Sequence, residues 1–317
     1  MSRKPAIIVN PHAGQKAGLR VNAFGPTDLR EVLARQGIDA DLWLTARPDH
    51  ATELAEQAAR EGRPLVVAAG GDGTVAEAAA GLVGSETKLG VMPLGSIMNL
   101  ARMLGIPRNL DAAAETIRIG HSVRIDAGRA TTAVGQRVFL EGAGVGVSAA
   151  LFAYTNQLDS GRWQSLRPML RFLLRYRPRR MRVTIDGRPQ QVRATMVTIA
   201  NGPLLGAAFE LAPDARLDDR QFTVRIFTTT GKRQFAAQVW AILRHGTARQ
   251  SDILTRRGRL VDVHGRRPLM VHADAHPLGT TPARFELLPA ALAVVVPEHP
   301  SGRRALLEAE LTGGTRP

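Results

Sequence analysis

Short apolar runs alternate with helix-period segments along the first 127 residues. Ala6–Val9, Asp41–Leu44, Leu65–Ala69 and Lys88–Met92 have the length of short strands, and Leu65–Ala69 reads as buried. Between them, Asp28–Gln36, Ala51–Glu61, Val75–Leu82 and Ile97–Leu104 repeat their apolar positions at helical spacing. This alternation predicts a doubly wound α/β domain over residues 1–127. From Arg129 the texture changes to strand-like runs separated by turn residues: Gln136–Leu140, Arg182–Ile185, Ala194–Ala200, Gln221–Phe227, Arg259–His264, Leu269–His272, Arg284–Leu287 and Leu292–Val296. A β-sandwich-like domain is expected over 128–297. The tail, 298–317, carries a short helical pattern at Ser301–Leu311 and is expected to pack back on the first domain.

One segment breaks the β texture. Between Arg162 and Arg180 lie seven arginines, interleaved with Trp163, Leu166, Leu170, Leu173 and Tyr176. Spacings of three and four put the apolar residues on one helical face with arginines beside it, and Pro168 limits the regular element. Two readings fit: an interfacial helix on acidic headgroups, or a helix packed on its own domain with a solvated basic edge. Composition bears on this choice, because 42 basic against 28 acidic residues leave a net charge of +14. Such a surface attracts polyanions, including an anionic membrane leaflet and nucleotide phosphates. No run of about 18 apolar residues occurs and the first strand starts without a signal-peptide core, so a cytoplasmic protein is expected. The chain has no cysteine, which excludes disulfides and thiolate metal sites.

Chemistry concentrates where predicted strands end. Gly70-Gly71-Asp72-Gly73-Thr74 follows the run Leu65–Ala69 and precedes an alanine-rich helix. A glycine turn there lets backbone N–H groups approach a polyphosphate at a helix start, and Asp72 can hold a cation or orient a water. An ordinary turn capped by Asp72 or Thr74 would look the same. Four companions stand at comparable places: Asn10-Pro11-His12-Ala13-Gly14, the segment Pro93–Arg102 with Ser96 and Asn99, Asp126 at the change of texture, and Asp274-Ala275-His276. No GxxxxGK[ST] segment and no HExxH pattern occurs, which disfavours a P-loop ATPase and gives no zinc signature.

In this order the elements resemble the diacylglycerol kinase catalytic-domain family, the bacterial lipid kinases related to sphingosine and ceramide kinases. The matching positions are the Asn-Pro-x-x-Gly turn, Thr45, the Gly-Gly-Asp-Gly-Thr turn, Pro-Leu-Gly-Ser, Asp126, Phe139 through Gly146, Asn201-Gly202, Pro213 to Asp219, and Asp274. The resemblance implies ATP and Mg²⁺ between two domains and transfer of the γ-phosphoryl group to a lipid hydroxyl. Diacylglycerol is the default acceptor, with ceramide or a sphingoid base as alternative. It implies nucleotide contacts from Asn10, Pro11, His12, Ala13, Gly14, Thr45, Gly71, Asp72, Gly73, Thr74, Val75, Ala76, Glu77 and Ser96. Asp72, Asp126 and Asn99 would belong to the Mg²⁺ network, and Asp219 would serve a structural cation. Asp72 and Asp274 carry the expected catalytic roles, Asp274 as acceptor of the hydroxyl proton. The expected partners are a lipid substrate and a membrane surface met through basic residues 162–180, at the inner face of the membrane. Homodimerisation is open, and no nucleic acid is expected.

The chain departs from the family pattern at three places. The usual Asp-Gly-Glu is Asp274-Ala275-His276, so His276 becomes an alternative base. The usual Asn-Asp is Met98-Asn99, and Arg220 stands where a glycine often follows the paired aspartates. Those departures keep a catalytically degenerate lipid- or nucleotide-binding member in view, and the shared glycine turn keeps NAD kinase in view. Locally, Asp126 and Asp218-Asp219 also read as turn caps, and His272 and His276 as ordinary surface or satisfied core residues.

Overall fold

The computed structural model describes residues 3–11, 15–16, 19–20, 26–148, 176–206, 209–228, 253–274 and 276–300. The arginine-rich stretch up to position 175, the 301–317 tail, His12, Ala13, Gly14 and Ala275 lie outside them. The first half runs β1 (Ala6–Val9), β2 (Gln15–Lys16), β3 (Leu19–Arg20), α1 (Pro26–Arg35), β4 (Asp41–Leu44), α2 (His50–Arg60), β5 (Leu65–Gly70), α3 (Asp72–Leu82), β6 (Lys88–Pro93), α4 (Asn99–Met103) and α5 (Leu110–Ile119). Next come β7 (His121–Thr132), β8 (Gly135–Phe139), β9 (Gly142–Gly146), β10 (Arg179–Ile185), β11 (Arg188–Ala194) and β12 (Met196–Ala200). The chain continues through β13 (Leu204–Leu205), β14 (Phe209–Glu210), β15 (Phe222–Phe227), β16 (Ile253–Gly258), β17 (Leu260–Gly265), β18 (Met270–Ala273), β19 (His276–Thr280) and β20 (Ala283–Val296).

β4, β1, β5 and β6 pair in parallel, as the alternating pattern demands. Their side chains Ile7, Ile8, Val66, Val67, Leu89 and Val91 are buried between helical layers. Helix α2 buries Ala51, Ala55 and Ala58, and Ala55 meets α3 at Gly81, where a Cβ would lie 2.4 Å from the Thr52 carbonyl. Small residues here bring the two helix backbones together, which is what the alanine-rich texture encodes.

The second half is a β-sandwich. β16-β15-β12-β9-β18-β19 form one sheet. Alternate residues of it, Ala143, Val145, Val197, Ile199, Val224 and Ile226, meet Met181, Val183, Val261, Val263 and Phe285 of the other sheet in one core. Phe139 stacks on Phe222 at 5.6 Å within that core. Gly128 makes room for the Phe139 ring, since a Cβ there would sit 2.0 Å from it.

The two halves share a single sheet. β20 pairs with β17 at Ala283–Glu286 and then crosses to lie parallel to β6 at Val294, with β7 antiparallel along nearly its whole length. Leu292, Val294 and Val296, which the sequence pattern groups with the β-rich half, therefore sit in the core of the first half. The crossing is marked by a register shift between Leu288 and Leu292, with Ala290 at φ 47°. Asp126 secures it: its carboxylate accepts the Ala290 N–H at 2.7 Å and the Arg220 N–H at 2.7 Å, and its carbonyl accepts Asn201 Nδ2 at 3.0 Å.

Candidate active site

Strand ends of the parallel sheet assemble the first part of the site. Leu94 N–H donates to the Gly70 carbonyl, Asn10 N–H to Ala69 and Thr45 N–H to Val9, so Asn10, Thr45, the glycine turn and Gly95 share one edge. This is the edge where open α/β sheets bind ligands. Thr74 is buried. Its hydroxyl accepts Asn10 Nδ2 at 3.2 Å, and its side chain fills the space that a Cβ on Gly70 would need. Gly95 is required by Gly71, whose Cα would lie 2.7 Å from a Cβ added at Gly95. Gly71 and Gly73 differ, because no described atom crowds them: a Cβ on Gly73 meets nothing within 4 Å, and one on Gly71 only Gly95 at 3.8 Å. Their bare backbone faces open space at the start of α3, where first-turn amides have no acceptor inside the helix. Val75 is buried in the core, while Ser96 is exposed at the same edge.

Asp72 does not stand free. Its oxygens accept Met98 N–H at 2.8 Å and Asn99 N–H at 2.6 Å, so it caps the short helix α4. Met98 supplies the left-handed turn before that helix, at φ 56°, where an asparagine is more usual than a methionine. Asn99 is buried. Its Nδ2 donates to Glu141 Oε2 at 2.8 Å and to the Gly206 carbonyl at 2.7 Å, while its Oδ1 has no hydrogen-bond partner among the described residues.

Glu141 links this edge to the second half of the molecule. Burial raises its carboxyl well above the usual range, and the nearby charges of Asp274 and Asp72 push it the same way. The sequence places Glu141 only as one position of the stretch Phe139 through Gly146 and misses it as an acid. Its signal is position, immediately before the Gly142-Ala143-Gly144 run. Asp274 follows β18 with φ 47°, and its carboxylate accepts three successive backbone N–H groups from Leu140, Glu141 and Gly142 at 3.0–3.1 Å. Burial pushes its carboxyl up to about 6, against the lowering effect of those amides and of Arg137. The Asp274 carbonyl is held 2.7 Å from His272 Nδ1, and His272 Nε2 lies 3.3 Å from Ser148 Oγ. Full burial takes His272 down to about 4, so the neutral ring donates from Nδ1 and orients the Asp274 backbone.

A cleft of 530 Å³ opens beside Asp274 and His276, walled on the opposite side by Thr52 and Glu53 of α2 and by Ala76 and Glu77 of α3. Arg137 crosses it to Asp49 at 3.1 Å. His276 Nδ1 is buried without a partner among the described residues, and burial followed by Arg137 lowers its pKa, with Asp49 opposing. Among the described residues, the expected nucleotide contacts that line this cleft are Ala76 and Glu77. Asn10, Thr45, Gly71 through Thr74 and Ser96 lie along the sheet edge.

Of the three residues expected in the Mg²⁺ network, Asp72 and Asn99 are in contact, and Asp219 is expected at a separate structural cation. Asp72 binds the Asn99 backbone, whereas Asp126 is engaged by Arg220 and Ala290 at the sheet crossing, with the Arg220 guanidinium 3.9 Å from Oδ1. Asp219 accepts from Gln221, and its carboxyl is raised by burial. Among the described residues no three acidic or histidine side chains converge as a metal-binding group. At the sheet crossing Asp126 joins the two halves through the Ala290 and Arg220 amides.

Residues 4–130 match the diacylglycerol kinase catalytic domain, and residues 141–296 match the YegS C-terminal NAD kinase beta sandwich-like domain. The chain belongs to the diacylglycerol kinase catalytic-domain family. It is a kinase. Diacylglycerol kinases of Staphylococcus aureus strains bovine RF122 / ET3-1 and Newman are each 25% identical over 290 residues, covering 90% of both chains. A solved diacylglycerol kinase from Bacillus anthracis superposes with a TM-score of 0.69 at 23% identity, over 93% of this chain and 97% of that one. The family's two-domain frame and lipid-kinase class thus extend to nearly the whole chain. Among the described residues no helix is long and apolar enough to cross a membrane.

Proposed function

We propose that this kinase transfers the γ-phosphoryl group of ATP to the free hydroxyl of diacylglycerol, giving phosphatidic acid and ADP. The observation that carries this reading is Asp274: a buried carboxylate on three amides, with its pKa raised to about 6, at the wall of a cleft between the two halves. A base of that strength accepts the hydroxyl proton as the lipid oxygen bonds to phosphorus and the bond from phosphorus to the ADP oxygen breaks. His276, with its pKa lowered and Nδ1 unpartnered among the described residues, is the alternative acceptor on the same wall. The nucleotide phosphates would rest on Gly71, Gly73 and the first turn of α3, with Asn10, Thr45 and Ser96 along the edge.

Mg²⁺ fits one part of this edge. Asn99, whose backbone N–H binds Asp72, has a buried Oδ1 without a partner among the described residues, and Mg²⁺ usually takes one or two protein oxygens together with phosphate oxygens and water. Asp72 and Asn99 would hold it, and the ion would neutralise charge on the transferring phosphate. The enzyme works at the inner face of the membrane, where its acceptor resides, and the basic charge of residues 162–180 would favour its acidic headgroups.

A second reading, binding without turnover, is favoured by Asn99 in place of the family's acid. Purified full-length protein with radiolabelled ATP, Mg²⁺ and mixed micelles of diacylglycerol, ceramide or sphingosine separates the readings. Labelled phosphatidic acid is expected. Label on ceramide or sphingosine alone would replace the acceptor, and retained ATP binding with no labelled lipid would select the second reading.

A further inference from the structure

Away from the cleft residues, a recess of 330 Å³ is walled by Arg179 and Arg180 of β10, Arg193 of β11, and Arg266 and Arg267 of the turn after β17, with Leu269 among its apolar lining. Three separate chain segments build it. Antiparallel register sets Arg180 directly opposite Arg193, and the Arg266 N–H donates to the Arg180 carbonyl. Like charges opposite one another in a ladder repel, so such a pair calls for a counter-ion. Elsewhere on the same sheet the counter-ion is present: Arg284 pairs with Asp262, and Arg129 with Glu286. Among the described residues none of the five recess arginines has an acidic partner.

No described acid lines this recess. Five guanidinium groups offer forked donors suited to phosphate oxygens. Two features favour a lipid phosphate over other anions. Leu269 leads directly into Met270, a large apolar side chain left 41% exposed, and a basic site with an exposed apolar neighbour suits the headgroup boundary of a bilayer. Among the described residues no aromatic side chain lines the recess, so they offer no stacking platform of the kind that holds single-stranded nucleic acids.

We propose that this recess binds the headgroup phosphate of an acidic phospholipid and so orients the kinase on a membrane. The inference rests on the membrane-facing part of the lipid-kinase reading and is independent of the chemistry assigned to Asp274. It is tested with the full chain, without ATP, by cosedimentation with vesicles of phosphatidylcholine alone and of phosphatidylcholine with phosphatidylglycerol. Wild type is expected to sediment with the acidic vesicles only. Two variants in different segments, Arg180→Gln/Arg193→Gln and Arg266→Gln/Arg267→Gln, are each expected to lose about 25-fold in partitioning, from about five-fold per arginine. Both should keep the wild-type melting temperature, and Arg266→Gln/Arg267→Gln should turn over micelle-dispersed acceptor at the wild-type rate. Unchanged partitioning in both variants, or no wild-type binding to acidic vesicles, overturns the headgroup site while the micelle assay still reports on the kinase reading. Binding of inorganic phosphate alone, or of a single-stranded oligonucleotide in preference to vesicles, with loss in the same variants, overturns the lipid assignment.

Discussion

Asp126 and Asp274 are both buried aspartates whose carboxylates accept backbone amides, yet the regions around them do opposite things. At the sheet crossing, Asp126 gathers Ala290 and Arg220 on its two oxygens, and its own backbone binds Leu217 and Asn201. At the cleft, Asp274 takes three amides from one short segment and still lines an open space. A carboxylate tied to distant segments fixes how the two halves meet. One seated in a local nest beside a cavity keeps a surface for a reactant. Identity of the residue type does not separate these tasks; whether the donors come from one segment or from two separate ones does.

The sharpest way to break the comparison is Asp274→Asn, which keeps the shape and removes the base. Turnover is expected to fall about 10²–10⁴-fold with the fold intact by circular dichroism. A loss under ten-fold would transfer the role to His276, for which His276→Gln is the matching measurement. At Asp126 the same logic predicts lost stability: Asp126→Ala leaves buried amides without acceptors, at about 2–4 kcal/mol and a fall in Tm on the order of 10 °C. Unchanged Tm with abolished turnover would place Asp126 in the chemistry instead of the junction.

Acid pH probes the cleft in two ways. With Asp274 near 6, kcat/KM should drop about ten-fold per unit once pH is below about 6, as the base becomes protonated. For stability the signs oppose. His272 is depressed from 6.5 to about 4, so its folded form resists protonation and stability is lost as pH falls through that window. Asp274 is raised from 3.8 to about 6, so its folded form holds the proton better and its contribution is lost as pH rises through that window. His272→Asn removes the first contribution, and urea unfolding should then show stability declining from about pH 4 to 6 more steeply than in wild type. An unaltered slope would mean that His272 is not the opposing group.

The smallest effect separates two glycines of one turn. Gly73→Ala, which meets no atom, should leave Tm within about a degree or two while weakening ATP binding measured by calorimetry. Gly70→Ala should lower Tm, because the Thr74 side chain occupies that space. Equal ATP affinity in wild type and Gly73→Ala would remove the phosphate cradle from that turn.

Much of this architecture is legible in the chain because local patterns carry it. Alternating runs encode the parallel strands β4, β1, β5 and β6, and a glycine turn after β5 marks the start of α3 whatever packs above it. The motif order also locates Asp72, Asn99 and Asp274. What the pattern does not carry is long-range pairing. Leu292–Val296 reads like any strand of the β-rich half, and only its partner β6 puts it in the first core. Glu141 is one unremarked position of the stretch Phe139 through Gly146 until Asn99, Asp72 and Asp274 come near it.

By itself, then, the sequence determined the elements, the family and the set of chemically able residues, since strand length, helical spacing and turn chemistry are settled within a few neighbours. Tertiary structure decided which carboxylate is a tether and which faces a cleft, and which arginines are neutralised and which are left to bind an anion. Hydrogen bonding and electrostatics act between groups that meet in space, and residues such as Asp126 and Ala290, or Arg180 and Arg266, meet only after the chain has folded.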